Sequence, residues 1–343
     1  MKALVLTAYN RFEILEQPIP AIGPEDVLLR VAACGICGSD VHGMDGSTGR
    51  RQPPIIMGHE AAGVIDRRGS NVAGWAEGQR VTFDSTVNCG RCWFCRRGQI
   101  NLCDNRQILG VSCDECRRDG AFAEYVAVPQ HILYRLPDSL TFRHAAMVEP
   151  VAVAVHAVGR SGVCLGDTAV VVGAGVIGLF LVQALRAAGC GRIIAADLDQ
   201  KKLDLACKLG ADEGFRPDQT DVAAEVMRRT GGRGADVSLE AVGIAPTVQV
   251  AAACLRKGGQ LTLVGLLASK VELPMQTIVT RELTINSSYI SCGEYPACLD
   301  LIARGTINVE PLISAVAPLV DGPAWFQRLH DGTEGLIKVI LEP

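Results

Sequence analysis

The chain has 343 residues, of which 48% are hydrophobic and 20% charged, with a formal net charge of −4 and a pI near 5.9. A chain of this length is expected to form about two domains with buried cores. The mild acidity, with no Lys/Arg run longer than two residues, argues against binding to nucleic acid or to an anionic membrane. The first residues turn polar too early for a secretory signal and no apolar stretch reaches ~18 residues, so we expect a cytoplasmic protein without membrane spans.

The first part of the chain, to about residue 150, predicts a β-rich domain. Short apolar segments such as 27–31 and 80–83 alternate with turns that contain Gly and Pro. Within this part, Cys37 precedes His59 and Glu60 by some twenty residues. A thiolate, an imidazole and a carboxylate are natural zinc ligands, although each residue alone has a simpler structural explanation.

Two further polar residues follow Cys37. Ser39 and His42 lie three positions apart, so on a short helix they share a face suited to a proton path. Asp40 lies between them and, taken alone, would be a carboxylate at a helix start. Cys34, just upstream, is expected to be a buried apolar thiol.

Four cysteines then form a C-x2-C-x2-C-x7-C run, namely Cys89, Cys92, Cys95 and Cys103. Four thiols have no hydrophobic reason to cluster in one short loop, whereas a tetrahedral zinc ion would bind all four as thiolates. The pattern therefore predicts a structural zinc site. An iron–sulfur cluster uses similar spacing, and a disulfide or a set of unrelated thiols would also be compatible with these residues.

From about residue 166 the sequence pattern changes to alternating strands and helices. Strands are predicted at 169–172, 192–196, 237–240 and 261–264, with helices at 176–188 and 201–209. Such alternation is typical of βαβ units in a doubly wound parallel sheet, which makes the fold class α/β.

The turn after the first of these strands has the dinucleotide-binding pattern G-x-G-x-x-G. Gly173 permits a tight turn, Gly175 lets the backbone approach a pyrophosphate, and Gly178 allows close packing of helix and strand. Asp197 ends the next strand, where a carboxylate accepts hydrogen bonds from ribose hydroxyls and repels a 2′-phosphate. NAD is therefore predicted over NADP, with Lys202 close enough to moderate the preference. A loop that only packs, or an Asp197 that only caps a helix, would also be compatible with the pattern.

The alternation ends after about residue 288. A helix over 295–304 and a final strand over 336–341 are predicted to return to the first domain. We therefore predict a catalytic domain made of residues 1–152 and 289–343 and a dinucleotide-binding domain made of residues 153–288.

Together these motifs resemble the zinc-containing medium-chain dehydrogenases, in particular the branch of polyol (sorbitol-type) and threonine dehydrogenases. The resemblance covers nearly the whole chain and rests on the segments 37–40, 58–63, 89–103, 119–125, 149–150 and 173–178. It implies a GroES-like β-rich catalytic domain and a Rossmann domain.

The resemblance also implies two zinc sites. The catalytic zinc would be held by Cys37, His59 and Glu60, with Glu149 near it either as a ligand or through water. The structural zinc would be held by the four cysteines from Cys89 to Cys103. Ser39 and His42 would relay the proton of the substrate hydroxyl, through the nicotinamide ribose or water, while Asp40 would orient a zinc ligand. Glu149, beside the zinc, is also expected to be a catalytic residue. Zinc would act as a Lewis acid on this hydroxyl, and a hydride would pass to the nicotinamide.

The residues expected to bind NAD are Gly173, Gly175, Val176, Ile177, Gly178, Asp197, Lys202, Val242, Val264 and Gly265. A small-molecule alcohol or polyol is the expected partner. Members of the family usually form homodimers or homotetramers, commonly through strands such as 283–285, so we expect a homo-oligomer.

Two departures from the sorbitol-type pattern bear on the substrate. Gly43 and Met44 stand where the sorbitol-type enzymes carry aromatic residues, and this lining of smaller side chains suggests a different or larger substrate. Segment 286–291 lacks the arginine that they use near the substrate. A polyol, sugar alcohol or cyclitol is therefore expected. A threonine-type or other secondary-alcohol dehydrogenase and a non-catalytic scaffold are the competing hypotheses. Cys113 and Cys116 form a C-x-x-C pair that is either a redox or metal pair or two thiols in an exposed loop.

Overall fold

The computed structural model describes residues 1–112, 117–332 and 334–343. The chain divides into two compact units. The first comprises Met1–Glu149, Tyr295–Arg304 and Val309–Pro343, and the second comprises Pro150–Glu294 and Gly305–Asn308. The described residues contain no helix with the length and hydropathy that a membrane-spanning segment requires.

The elements of the first 160 residues are mostly short strands. The strands are β1 (Lys2–Ala8), β2 (Arg11–Glu16), β3 (Asp26–Gly35), β4 (Ile55–Ile56), β5 (Glu60–Arg68), β6 (Arg80–Phe83), β7 (Thr86–Val87), β8 (Gln107–Ile108), β9 (Tyr125–Pro129) and β10 (Leu133–Arg135). The helices are α1 (Gly38–Val41), α2 (Phe142–Ala146) and α3 (Val148–Arg160).

Strands and helices alternate in the second unit, and four elements follow it. The alternating elements are β11 (Thr168–Val172), α4 (Val176–Ala187), β12 (Arg192–Ala196), α5 (Gln200–Lys208), β13 (Glu213–Phe215), α6 (Val222–Arg229), β14 (Ala235–Glu240), α7 (Ala245–Ala253), β15 (Leu255–Leu263), α8 (Met275–Thr280) and β16 (Thr284–Ser287). The chain then forms α9 (Tyr295–Ala303), β17 (Ile313–Pro318), α10 (Gly322–Asp331) and β18 (Lys338–Glu342).

The main sheet of the first unit places distant segments side by side. Its strand order is β10-β6-β5-β3-β18-β17, and β9 also pairs with β3. The end of β3 pairs with the start of β5, with Gly35 opposite Glu60, and β18 pairs with the same end of β3. As a result Cys37, His59 and the start of β18 lie at one end of the sheet. The strands β2-β1-β4 form a smaller sheet, and β7 pairs with β8.

The second unit is a parallel sheet with the strand order β13-β12-β11-β14-β15-β16. Every residue of β11 is buried, because a central parallel strand has helices on both faces. Since sequential strands are added outward on both sides of β11, the order reverses there. The carboxyl ends of β11, β12 and β14 therefore meet at one edge, where such sheets bind ligands. The predicted α/β fold class with a doubly wound sheet is confirmed.

The structure divides the chain slightly differently from the predicted boundaries. Residues 289–294 belong to the second unit, in which His156 Nδ1 lies 2.7 Å from Glu294 Oε1. Residues 305–308 belong there too, because the backbone of Asn308 bonds with the side chain of Gln183. These side-chain contacts join residues more than 100 positions apart, which the periodicity of a sequence cannot report.

Candidate active site

Three side chains with metal-binding atoms converge at the end of the main sheet of the first unit. Cys37 follows β3, and His59 and Glu60 stand at the start of β5. One donor atom from each lies within 4.8 Å of the other two. His59 and Glu60 are buried and Cys37 is half-buried. A thiol, an imidazole and a carboxylate at this separation fit a zinc ion that keeps one position for a further ligand.

Buried acidic groups surround this trio. Burial, with the carboxylate of Glu60 adding to it, raises the pKa of the Cys37 thiol to about 11. Glu149, in the first turn of α3, is buried too. Burial raises the pKa of Glu149 to about 8, against the opposing effect of His59. Burial and mutual repulsion keep these acidic groups protonated. A bound divalent cation would stabilise their ionised forms.

This arrangement predicts a pH-dependent proton release when zinc binds. Without metal at pH 7, the Cys37 thiol is protonated and so is most of the Glu149 carboxyl, because the raised pKa values of about 11 and about 8 both lie above 7. Zinc at the trio should displace about two protons at pH 7 and about one at pH 9, where Glu149 has already ionised. Calorimetry in buffers of different ionisation enthalpy, with the four-cysteine site filled first, measures this number. The variant Glu149→Gln should release about one proton at both pH values, and equal wild-type release at both would contradict the prediction.

A lysine from the far end of the chain holds Glu60. The Nζ of Lys338, at the start of β18, lies 2.8 and 2.6 Å from the two oxygens of Glu60 and 3.0 Å from the carbonyl of Ile36. Both side chains are buried, with exposures of 1% and 0%. Gly35 makes room for this pair, since a Cβ there would lie 2.3 Å from Glu60 Oε2. Lys338 offsets one of the negative charges gathered at the trio.

The predicted proton-relay residues lie on and beside the short helix α1. Ser39 and His42 are both exposed, as a path to solvent requires. The Ser39 hydroxyl donates to Cys37 Sγ at 3.3 Å. Asp40 is buried, and its Oδ2 lies 3.5 Å from Nδ1 of His59. Neither of these two atoms has a hydrogen-bond partner among the described residues, and the two face each other.

The four predicted structural ligands also converge. The thiols of Cys89, Cys92, Cys95 and Cys103 lie within 4.8 Å of one another. Backbone N–H donors, chiefly that of Arg91, lower the pKa of Cys89 to about 6, whereas burial raises that of Cys95 to about 12. Four adjacent thiols thus resist joint ionisation without a cation. A tetrahedral zinc ion supplies the missing charge, so the donor set fits zinc.

The glycine-rich turn has the geometry that a dinucleotide requires. Gly173 has a φ of +96°, and a Cβ on Gly178 would lie 1.7 Å from the carbonyl oxygen of Gly173. Nothing lies within 4 Å of a Cβ built on Gly175, the N-cap of α4. Val176 and Ile177 form the first turn of that helix. The space beside Gly175, at the N-terminus of α4, is therefore open, and a helix N-terminus is where an anion binds.

Asp197 lies beside this turn rather than capping the next helix. Its Oδ2 accepts a hydrogen bond from the backbone N–H of Ala174 at 2.7 Å, and its Oδ1 accepts one from Asp199 at 2.9 Å. The N-cap of α5 is Asp199, which accepts from the N–H of Lys201 at 2.8 Å. Each oxygen of Asp197 keeps a second lone pair for a ribose hydroxyl. Lys202 is half-buried on α5.

The remaining predicted cofactor residues lie at the same sheet edge and depend on a residue that the sequence did not single out. Glu240, at the end of β14, accepts hydrogen bonds from the N–H groups of Val242 (2.8 Å) and Gly243 (2.7 Å). Its carbonyl accepts those of Val264 and Gly265. Glu240 thereby shapes both loops, and its sequence signal is only a carboxylate that ends an apolar strand.

The two positions that depart from the sorbitol-type pattern before residue 50 are packed inside the first unit. Met44 is buried in the core of the first unit and Gly43 packs on the side chain of Arg51, so both positions have a packing role, and the smaller lining of the substrate pocket stays a prediction. A side chain at position 43 would collide with the side chain of Arg51, which explains why this residue is a glycine. The Cys113 and Cys116 pair lies outside the described residues.

Two protein families, each matching a different part of the chain, together cover most of its length. Residues 23–138 match the alcohol dehydrogenase GroES-like domain, and residues 176–304 match the zinc-binding dehydrogenase family. The chain is 34% identical to the sorbitol dehydrogenase of Bacillus subtilis strain 168, covering 100% of this chain and 97% of that one. It is also 34% identical to the D-xylulose reductase A of Aspergillus niger, covering 96% and 94%.

A solved structure is similar over the same length. It is a protein from Sinorhizobium meliloti 1021 assigned as a zinc-binding dehydrogenase and bound to NADP, with 35% identity, a TM-score of 0.92 and coverage of 100% and 99%. The chain belongs to the zinc-containing medium-chain alcohol and polyol dehydrogenase family. It is an oxidoreductase that uses zinc and a nicotinamide cofactor.

Proposed function

We propose that this enzyme transfers a hydride between NAD and a secondary alcohol of a polyol, sugar alcohol or cyclitol. The observation that carries the proposal is the trio of Cys37, His59 and Glu60 in a chain that also carries the open glycine-rich turn. The relatives named for sorbitol and D-xylulose support the polyol class.

The residues divide the chemistry among them. Cys37, His59 and Glu60 would hold the catalytic zinc, and the four cysteines from Cys89 to Cys103 would hold the structural zinc. The buried Glu149, whose charge interacts with those of all three trio residues, would serve as a further ligand or act through water. When bound, zinc polarises the substrate oxygen and the nicotinamide accepts the hydride. Ser39 and His42 take the hydroxyl proton and pass it to solvent.

The choice of NAD rests on Asp197 and gives a testable prediction. Asp197→Asn should raise the KM for NAD by about 10–100-fold, because a hydrogen bond to a charged acceptor contributes about 1.5–3 kcal/mol. It should also reduce the preference for NAD over NADP, because the carboxylate no longer repels a 2′-phosphate. Steady-state kinetics with both cofactors measure this. Asp199→Asn is the matched control: asparagine caps a helix about as well as aspartate, so this variant should leave both the fold and the cofactor preference unchanged. An unchanged NAD/NADP ratio in Asp197→Asn would contradict the assignment.

We further infer a cytoplasmic homodimer or homotetramer. Strand β16 is an edge strand of its sheet and is partly exposed, so it offers unpaired backbone groups to a second copy. The buried cysteines Cys34, Cys190 and Cys254 form no disulfide, which suits a reducing compartment. Light scattering that gives a monomer mass would contradict the oligomer.

The substrate class is tested with a panel. Zinc-loaded enzyme is incubated with NAD and with polyols, sugars, cyclitols, threonine or simple alcohols, and NADH is followed by absorbance. The proposal predicts turnover on members of one polyol or cyclitol class that is lost after chelation. Turnover restricted to threonine would identify an amino-alcohol dehydrogenase instead, and no turnover by protein shown to bind zinc and NAD would favour a non-catalytic scaffold.

A further inference from the structure

A buried arginine lies behind the zinc-binding trio. Arg51 comes from the loop between α1 and β4, and it is 2% exposed although its neighbour Arg50 is exposed. We propose that Arg51 is a positioning residue that orients both Cys37 and His59 for the metal. This inference rests on the proposed assignment of the trio as the catalytic zinc site.

Arg51 reaches His59 through Asp40. Its Nε and Nη2 lie 3.1 and 2.7 Å from Oδ1 of Asp40. With Oδ1 taken by two donors, Oδ2 is left to face Nδ1 of His59 at 3.5 Å. A proton on Nδ1 shared with this carboxylate leaves Nε2 as the nitrogen with a free lone pair. Arg51 therefore fixes the rotation of the Asp40 carboxylate, and through it the tautomer and orientation of His59.

The same guanidinium reaches Cys37 through Ser39. Nη2 of Arg51 lies 3.3 Å from Ser39 Oγ, and arginine can only donate. The single hydroxyl proton of Ser39 is thus directed away from Arg51, and it points to Cys37 Sγ at 3.3 Å. A donor of this kind stabilises a thiolate. One planar side chain therefore supports two different metal ligands, which an ammonium group could not do with the same geometry.

Gly43 shows that the loop is built around this arginine. A Cβ at position 43 would lie 2.7 Å from Cγ of Arg51 and 2.9 Å from the carbonyl oxygen of Ser39. The φ of Gly43 is not in the left-handed region, so backbone conformation does not demand a glycine there. The glycine instead leaves the space through which the stem of Arg51 passes to Asp40 and Ser39.

The test measures zinc affinity rather than turnover. Purified full-length enzyme is titrated with a chromophoric chelator, and the ion that is missing in Cys37→Ser identifies the trio site, while the four-cysteine site serves as an internal reference. Arg51→Met should weaken zinc binding at the trio by about 10–100-fold, the usual effect of losing a group that orients a ligand. Arg51→Lys should recover only part of this loss.

Two further variants separate positioning from charge and from folding. Gly43→Ala keeps Arg51 but crowds its stem, so it should also weaken the trio site, whereas Arg50→Met removes an exposed charge from the same loop and should match the wild type. In cobalt-loaded enzyme, the thiolate charge-transfer band should change in Arg51→Met and Gly43→Ala only.

The outcomes that overturn the inference are distinct. Folded Arg51→Met with wild-type zinc affinity at the trio refutes it. If Arg51→Met does not fold, wild-type affinity in both Arg51→Lys and Gly43→Ala refutes it equally. A wild-type enzyme that binds zinc only at the four cysteines would overturn the catalytic-site assignment itself, which distinguishes that failure from this one.

Discussion

Cys37→Ser is expected to lower turnover at least about a thousand-fold while the protein stays folded. Zinc polarisation of the substrate oxygen contributes several kcal/mol to the transition state, and each 1.36 kcal/mol is a factor of ten in rate. A serine hydroxyl does not replace the thiolate as a zinc ligand. Serine has nearly the size and shape of cysteine, so the replacement should leave the packing around position 37 intact. Steady-state kinetics, zinc content and circular dichroism together measure the effect.

The matched control for Cys37→Ser is Cys34→Ala, three residues earlier. Cys34 is buried and burial raises its pKa well above the ordinary value, which describes an inert core thiol. Its loss should cost some stability and leave most of the activity. Near-normal turnover in Cys37→Ser, or a loss in Cys34→Ala as large as that in Cys37→Ser, would contradict the assignment of Cys37 as a zinc ligand.

Lys338→Met is expected to destabilise the metal-free protein by about 3–5 kcal/mol, the usual cost of leaving one partner of a buried ion pair uncompensated. Burial alone would lower the pKa of Lys338, but Glu60 together with the neighbouring acidic groups of Cys37 and Glu149 outweighs burial and raises the pKa above its ordinary 10.5. The stabilising charge of Lys338 is therefore fully present at pH 7 and is lost only as the pH rises through this raised pKa. Urea unfolding of chelator-treated protein at pH 7 measures the loss.

Two variants test the reason for the Lys338 effect. Adding Glu60→Gln to Lys338→Met should recover part of the stability, because the unpaired buried charge is removed. Arg143→Met breaks the pair with Glu342 at the other end of the same strand, where both side chains are exposed by 36% or more, and should cost under about 1 kcal/mol. Equal losses in Lys338→Met and Arg143→Met would contradict the role of burial.

The sequence predicted those features that depend on short-range patterns. The apolar run before Gly173 and the glycine spacing predicted β11 and α4 within one residue of their observed bounds. Strand β15 was predicted to begin at 261, yet it begins at Leu255. Gly258 and Gly259 suggest a turn, but Gly258, with a φ of +68°, lies within the strand, where the register against β14 shifts.

The residues that support the zinc ligands, Lys338 and Arg51, could not be predicted from the sequence. Lys338 stands in an apolar segment and its partner Glu60 is 278 positions away, so only the pairing of β18 with β3 brings them together. Arg51, in a Gly-Arg-Arg-Gln-Pro segment, has the sequence context of an exposed loop charge. Its burial follows from the space at Gly43 and from Asp40, neither of which has a periodic signature.

The most direct test of the zinc mechanism is whether turnover of the substrate found in the panel depends on zinc. The enzyme is stripped of metal with a chelator, its zinc content is measured, and zinc is added back in steps while NADH formation is followed. The zinc mechanism requires that activity disappears with the trio zinc and returns when that ion is restored, whereas Cys37→Ser should not recover. Full activity in protein shown to lack zinc at the trio would contradict it.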